Sequence, residues 1–275
     1  MKIATTGTLA AGGTFLVYHG PYREIIPRMA RAGYKYVEMH IFDSAEIDRE
    51  ELWETIRVND MVLTSIGTGS VYDRLHYCLG SADPAVRKAA IRHLEQHMIT
   101  AQPDKAMVII GLIAGRVSDC NNDLEEFKKN LTESLYQLDR LAETYDVPLC
   151  LEMMNGFESD WLNRIEEGVE FLKANDFKRI KLHIDTVHMN IEEADIGQAI
   201  RGGAGYIGHV HIADNDRWYP GHGHYDFWET LEALKDIGYD GALALETNCY
   251  PCEDVSAEKS LDCLTDMLEA LALTD

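Results

Sequence analysis

Four polar side chains recur through the second half of the chain at a spacing that suits chemistry. Glu152 closes the apolar run VPLCLE, Asp185 closes RIKLHID, His211 lies in YIGHVHIAD, and Glu246 follows GALAL. Successive members stand roughly 30 positions apart, the length of one strand plus one helix where about 250 residues close an eightfold barrel. Such spacing puts them at one level on successive strands, so they can converge on one point. Three carboxylates crowded together repel one another unless a cation neutralises them. Carboxylate oxygens with one imidazole suit a hard or borderline divalent ion: manganese first, with magnesium, cobalt and zinc as alternatives. Taken singly, a glutamate at a strand end is ordinarily a solvated terminus, and a histidine after an apolar strand is a satisfied core residue. Four consecutive strands with such a residue at one level are poorly explained that way.

Other polar residues follow these positions closely. His188 lies just beyond Asp185 in HIDTVHMNIEE, where a loop would let it look into the site. Glu158 follows Glu152 in EMMNGFE, Arg217 follows His211 in HIADNDRW, and Arg116 ends the run GLIAGR. Loops at strand ends commonly carry binding residues. Glu158, His188, Arg217 and Arg116 are therefore candidate substrate contacts, with a solvated surface charge as the ordinary alternative for each.

The elements that must position these groups are legible as an alternation. Eight short apolar runs read as strands: KIATTGTL, YKYVEMH, MVLTSIGTG, AMVIIGLIAG, VPLCLEMMN, RIKLHID, YIGHVHIAD and GALALETN. Helical patterns lie between them. Leu124, Phe127, Leu131, Leu135, Leu138 and Leu141 recur every three or four residues and mark one helix face. Asp83-Pro84 reads as a helix cap followed by a first-turn proline. Gly33 and Gly238 follow the ends of two further helices. The reading is a single (β/α)8 TIM barrel spanning residues 1–275, with the site at the C-terminal ends of the strands. A doubly wound open sheet is the alternative, but no GxGxxG follows the first strand.

Bulk properties narrow the function. The chain has 275 residues, is 46% hydrophobic and carries a formal net charge of −22. That charge repels phosphate backbones, so nucleic acid is not an expected partner. It fits a small, neutral substrate. No apolar run is long enough to span a membrane, and the N-terminal stretch lacks the apolar core of a signal peptide, which together point to the cytoplasm. The six cysteines lack framework spacing, and Cys249-Tyr-Pro-Cys252 is a lone CxxC. Free thiols in a reducing compartment are the expected state.

At these residues the chain resembles the xylose-isomerase-like barrel superfamily, and within it the ketose 3-epimerases typified by D-tagatose and D-psicose 3-epimerases. The resemblance is carried by LEMMNGFE (151–158), HIDTVHMNIEE (183–193), HIADNDRWYPGHG (211–223), IGYDG (237–241) and LETN (245–248). It implies a divalent metal held by Glu152, Asp185, His211 and Glu246, with Glu152 and Glu246 also serving as the catalytic acid/base pair. It implies sugar-binding roles for Glu158, His188 and Arg217. The implied reaction inverts C3 of a ketose through a metal-stabilised enediolate, and family members are commonly homodimers or homotetramers. The chain departs from the epimerases at Gly156, Ala213-Asp214 and Thr247-Asn248. They carry an arginine, a Gly-Glu pair and Pro-Phe at those places. Three alternatives use the same site: an aldose–ketose isomerase such as hydroxypyruvate isomerase, a keto-sugar lyase or dehydratase, and a metal-stabilised binding protein without turnover. The last loop, TNCYPCEDVSAEKS, is acidic and lacks glycine, which points to an unphosphorylated sugar.

Overall fold

Each of the eight apolar runs contains a strand, in most cases shorter than the run. In the computed structural model, which describes residues 1–9, 15–68 and 71–273, the strands are β1 (Lys2–Thr8), β2 (Tyr18–His19), β3 (Tyr36–His40), β4 (Val62–Gly67), β5 (Met107–Ile110), β6 (Leu149–Glu152), β7 (Ile180–Asp185), β8 (Ile207–Ile212) and β9 (Ala242–Leu245). β2 is a two-residue addition beside the end of β1. The others pair in chain order, all parallel, and β1 also pairs with β9. The sheet therefore closes into a barrel of eight parallel strands. β5 stops early because Gly111 leads into a tight 3-10 turn at Leu112–Ala114. The expected third strand reached Gly69. β4 ends at Gly67, and residue 69 lies outside the described residues.

Helices fill the connections: α1 (Tyr22–Arg31), α2 (Arg49–Val58), α3 (Val71–Leu75), α4 (Pro84–Ala101), α5 (Leu124–Tyr145), α6 (Ile165–Asn175), α7 (Thr186–Glu192), α8 (Ile196–Gly202), α9 (Phe227–Asp236) and α10 (Glu253–Ala272). Local chemistry sets their ends. The Asp83 carboxylate accepts the Ala85 amide at 2.7 Å and opens α4 at Pro84. α1 and α9 stop before Gly33 and Gly238, whose φ values of 99° and 69° suit glycine. The α5 stripe buries Phe127, Leu131, Leu135 and Leu138, while Leu124 at its first turn stays exposed. The result is a single TIM barrel. Among the described residues no helix is long and apolar enough to cross a membrane.

The apolar core lies mainly between the strands and the helices, where Leu52, Leu94, Leu135, Leu182 and Val210 are all buried. The barrel interior is different. Ala4, Ala242 and Ala244 form a small apolar cluster of their own. Thr6, Glu38, Ser65, His183, His209 and His211 are also fully buried. Barrels are ordinarily filled by branched apolar side chains. A polar filling costs free energy unless its members pair with one another, and here most of them do.

A second buried polar group supports one wall of the site. In α4, His97 is hydrogen-bonded to Ser44 at 2.6 Å and to His93 at 3.1 Å. Ser44 lies two residues past Phe42, which lines the central cavity. Burial, followed by the neighbouring His93 and Arg49, pushes the His97 pKa well below its usual value. The unfolded chain binds a proton at His97 below about pH 6.5 and the fold does not. Stability should therefore be full above that pH and fall as the pH drops. We expect His97 to account for about 1 kcal/mol of lost stability between pH 6.5 and 5.5. Thermal melts of the native chain and of His97→Gln at both pH values check this: the variant should lose less over the interval, and an equal loss contradicts the assignment.

Candidate metal centre and active site

Strand register explains how the four strand-end residues meet. Asp185 pairs directly with His211 across β7 and β8. Glu152 pairs with His183, two residues below Asp185. The four are thus staggered rather than at one level, as strand tilt in a closed barrel requires. Residues two apart on a strand share a face, so His183 with Asp185, and His209 with His211, point inward. A cavity of about 290 Å³ opens at this end of the barrel, lined among others by Glu152, Glu158, His188, His211, Arg217 and Glu246.

Glu152, Asp185 and His211 each offer a ligand atom, and these atoms all lie within 4.8 Å of one another. His211 Nδ1 is 3.6 Å from Glu246 Oε1 and 3.8 Å from Asp185 Oδ2. Arg217 Nη1 donates to Asp185 Oδ2 at 3.0 Å and also to Glu246 Oε2, tying these two carboxylates together. Burial alone would raise the Glu246 pKa. Arg217 and His211 outweigh it and hold that carboxyl well below its usual range.

Beneath these residues lies a carboxylate that the sequence reading missed. Glu38, on β3, is fully buried. One of its oxygens accepts from His40 Nε2 at 2.7 Å and His211 Nε2 at 2.8 Å. The other accepts from His209 Nε2 at 2.7 Å and Ser65 Oγ at 2.5 Å. Burial would raise the Glu38 pKa, but His211 and His209 keep it well below the usual range. An ionised carboxylate only accepts hydrogen bonds, so each imidazole must present an N–H to it. His211 therefore donates from Nε2. Burial opposes its charged form, yet Glu38 and Glu246 raise its pKa well above the usual imidazole value, so a cation would displace the proton on Nδ1 to reach the lone pair there.

That lone pair is the test of whether a metal fits. His211 Nδ1 is buried and has no hydrogen-bond partner, and it faces the oxygens of Glu246 and Asp185. One neutral imidazole nitrogen among carboxylates, oriented from behind by a further carboxylate, is a donor set that suits a divalent cation. The residues present fit the ion.

The surrounding residues lock this arrangement. Asp185 Oδ1 accepts the amides of Val187 at 2.6 Å and His188 at 3.3 Å, which caps α7 and leaves Oδ2 for the site. His188 thus sits in the first turn of a helix rather than on the expected loop. Its Nε2 lies 3.5 Å from Glu152 Oε1, and its Nδ1 contacts the Asn155 amide at 2.7 Å. Burial opposes its charged form, yet Asp185 and Glu152 raise its pKa to about 9. Asn155 also donates to Glu158 at 3.1 Å. The acidic end of α7 ties down neighbouring chain: Glu192, its last residue, accepts the Gly156 amide at 2.7 Å and Glu193, its C-cap, that of Ile165 at 2.8 Å.

Arg116 is placed differently from its expected role. It stands outside the set of side chains lining the cavity, and its Nε donates to the Glu158 carbonyl at 2.9 Å. That bond draws the guanidinium onto the backbone beside Glu158, so Arg116 braces this segment instead of reaching inward. The loop after β8 is organised by Asp214, whose carboxylate accepts the amides of Gly221 at 3.0 Å and Tyr225 at 3.1 Å. A side chain at Gly223 would meet Asp214 and Asn215, which explains one glycine of PGHGH. Gly111 plays a similar part opposite Glu152: a Cβ there would stand 2.6 Å from Glu152 Oε2.

The xylose isomerase-like TIM barrel family matches residues 26–267 of this chain. The D-psicose 3-epimerase of Ruminiclostridium cellulolyticum is 32% identical over 246 residues, which is 83% of each chain. The L-ribulose 3-epimerase of Mesorhizobium japonicum is 33% identical over 220 residues, 78% of this chain and 72% of that one. A solved structure of an L-ribulose 3-epimerase superposes with a TM-score of 0.82 at 27% identity, covering 100% of this chain and 98% of the other. The chain belongs to the xylose isomerase-like TIM barrel family.

Proposed function

We propose that this protein is a divalent-metal-dependent ketose 3-epimerase, with manganese as the first-choice ion held by Glu152, Asp185, His211 and Glu246. The observation that carries the reading is a pair of carboxylates, Glu152 and Glu246, lining one cavity from strands separated by two others. Relatives named D-psicose and L-ribulose 3-epimerases support it.

A hydrogen on the carbon beside a ketone is weakly acidic, and inverting that carbon requires its removal. When bound, a divalent ion here supplies a Lewis acid that polarises the ketone and offsets the charge left by proton loss. Glu246 and Glu152 approach the cavity from different sides. One carboxylate takes the proton from one face of the sugar, and the other delivers a proton to the opposite face. The roles exchange when the reaction runs backwards. Arg217 and His211 keep Glu246 ionised, the form that a metal ligand needs. His188, Glu158 and Arg217, all at the cavity wall, would bind the sugar's oxygens. Asn155 holds His188 and Glu158 in place from behind.

The test is product analysis. Protein stripped of metal and reloaded with manganese is incubated with a panel of ketoses in deuterated water. The expected product is the C3 epimer with deuterium at C3, formed only by the reloaded protein. An aldose product, or loss of water or a fragment, would overturn the reading in favour of an isomerase or a lyase.

A further inference from the structure

The cavity has two unlike halves. Strands β6 to β9 and their loops supply its carboxylates and two of its imidazoles, His188 and His211, with His40 at the end of β3 the third, while the connections after β3 and β4 supply Phe42 and Arg74. In the closed strand order these two connections lie across the mouth from β7 and β8. Arg74, on α3, places its guanidinium carbon 3.8 Å from the centre of the Phe42 ring. Stacking covers one face of the planar group and leaves the N–H donors around its edge available. Among the described residues no carboxylate or carbonyl takes them. The other two arginines near the site are engaged, Arg217 by Asp185 and Glu246 and Arg116 by the Glu158 carbonyl. Arg74 is exposed, so the edge of its guanidinium faces solvent at the cavity mouth.

We propose that Arg74 is a specificity residue that binds an anionic group, phosphate or carboxylate, on the end of the ketose remote from the reacting carbon. This rests on the epimerase reading. A guanidinium edge matches either anion through two parallel N–H bonds. In the half of the cavity holding Glu152, Glu158 and Glu246, the cationic Arg217 and His188 already face carboxylates, which leaves Arg74 as the cation for a charged terminus. A substrate charged at one end is thereby oriented with its anion at Arg74 and its ketone at the candidate metal centre. The last loop of the barrel lacks a glycine-rich phosphate cradle, but Arg74 would make the contact from the opposite wall.

The experiment compares kcat/KM for a neutral ketose, its terminal phosphate and its terminal carboxylate analogue, using manganese-loaded native protein, Arg74→Gln and Arg74→Lys. One charged substrate should exceed the neutral one by about tenfold or more, and which one names the anion. Arg74→Gln should lower kcat/KM for that substrate by about 10- to 100-fold while changing the neutral ketose by less than about twofold. Arg74→Lys keeps the charge without the fork and should fall between. An equal loss on the neutral ketose, or no preference for either charged substrate, overturns the proposal. Deuterium uptake separates the two readings. If native protein exchanges deuterium into the neutral ketose without preferring a charged one, the epimerase reading stands and the Arg74 assignment is wrong. If no ketose exchanges, both fall.

Discussion

Glu246→Gln and Glu152→Gln should each lower epimerisation by about 10²- to 10⁴-fold, the usual contribution of a positioned acid or base. The amide keeps the shape of the side chain and removes its ability to accept a proton. Because inversion needs one group on each face, neither glutamate can stand in for the other. Each substitution also removes a negative ligand, so metal content must be measured beside activity. Where metal is retained, the remaining glutamate still reaches its own face of the sugar. Such a variant can wash deuterium into the ketose without inverting it, a signature that simple misfolding does not give. A metal-loaded variant that epimerises near the native rate would refute the two-face mechanism. An isomerase shuttling one proton on one face would need only one of the two carboxylates.

Glu38→Gln should weaken divalent metal binding by about 10- to 100-fold, although Glu38 is not itself a proposed ligand. Its two oxygens accept from His40, His209, His211 and Ser65. A glutamine offers one acceptor oxygen and turns N–H groups toward N–H groups. At least one imidazole must then exchange its proton between nitrogens or lose its partner. If His211 does so, its Nδ1 carries the hydrogen and no longer offers a lone pair. Removing one partner from a buried charged network also costs about 3–5 kcal/mol of stability, so a lower melting temperature should accompany the loss. Calorimetric titration with manganese, on protein shown to be folded by its melt, provides the check. Native affinity in the folded variant would show that Glu38 does not set the His211 tautomer.

The sequence made the barrel legible because its alternation of apolar runs and helical stripes is regular, and because the strand-end residues Glu152, Asp185, His211 and Glu246 recur with that alternation. It did not reveal the floor of the site. Val37 and Met39 flank Glu38 on β3, and Val210 flanks His209 and His211 on β8; all are buried. Both faces of each strand are therefore inside the molecule, and the polar positions vanish into what reads as an apolar run. The signal was a period-two alternation within those runs: Glu38 with His40, His183 with Asp185, His209 with His211. His188 reads as a loop residue because Asp185 ends the strand. Asp185 also caps a helix, and two roles on one side chain are hard to separate by spacing. Arg116 reads inward from its position, and only the fold shows the Glu158 carbonyl within its reach. The pairing of Phe42 with Arg74 joins two different connections and had no sequence signature at all.

The central claim is that Glu152, Asp185, His211 and Glu246 surround one divalent ion. Diffraction from crystals of the manganese-loaded protein, collected at the manganese absorption edge, tests it most directly. The account predicts one strong anomalous peak in the cavity, roughly 2.0–2.3 Å from a carboxylate oxygen of each acidic residue and from His211 Nδ1. A peak bound through His211 Nε2, or an ion held elsewhere with any two of these four side chains turned away, would contradict it.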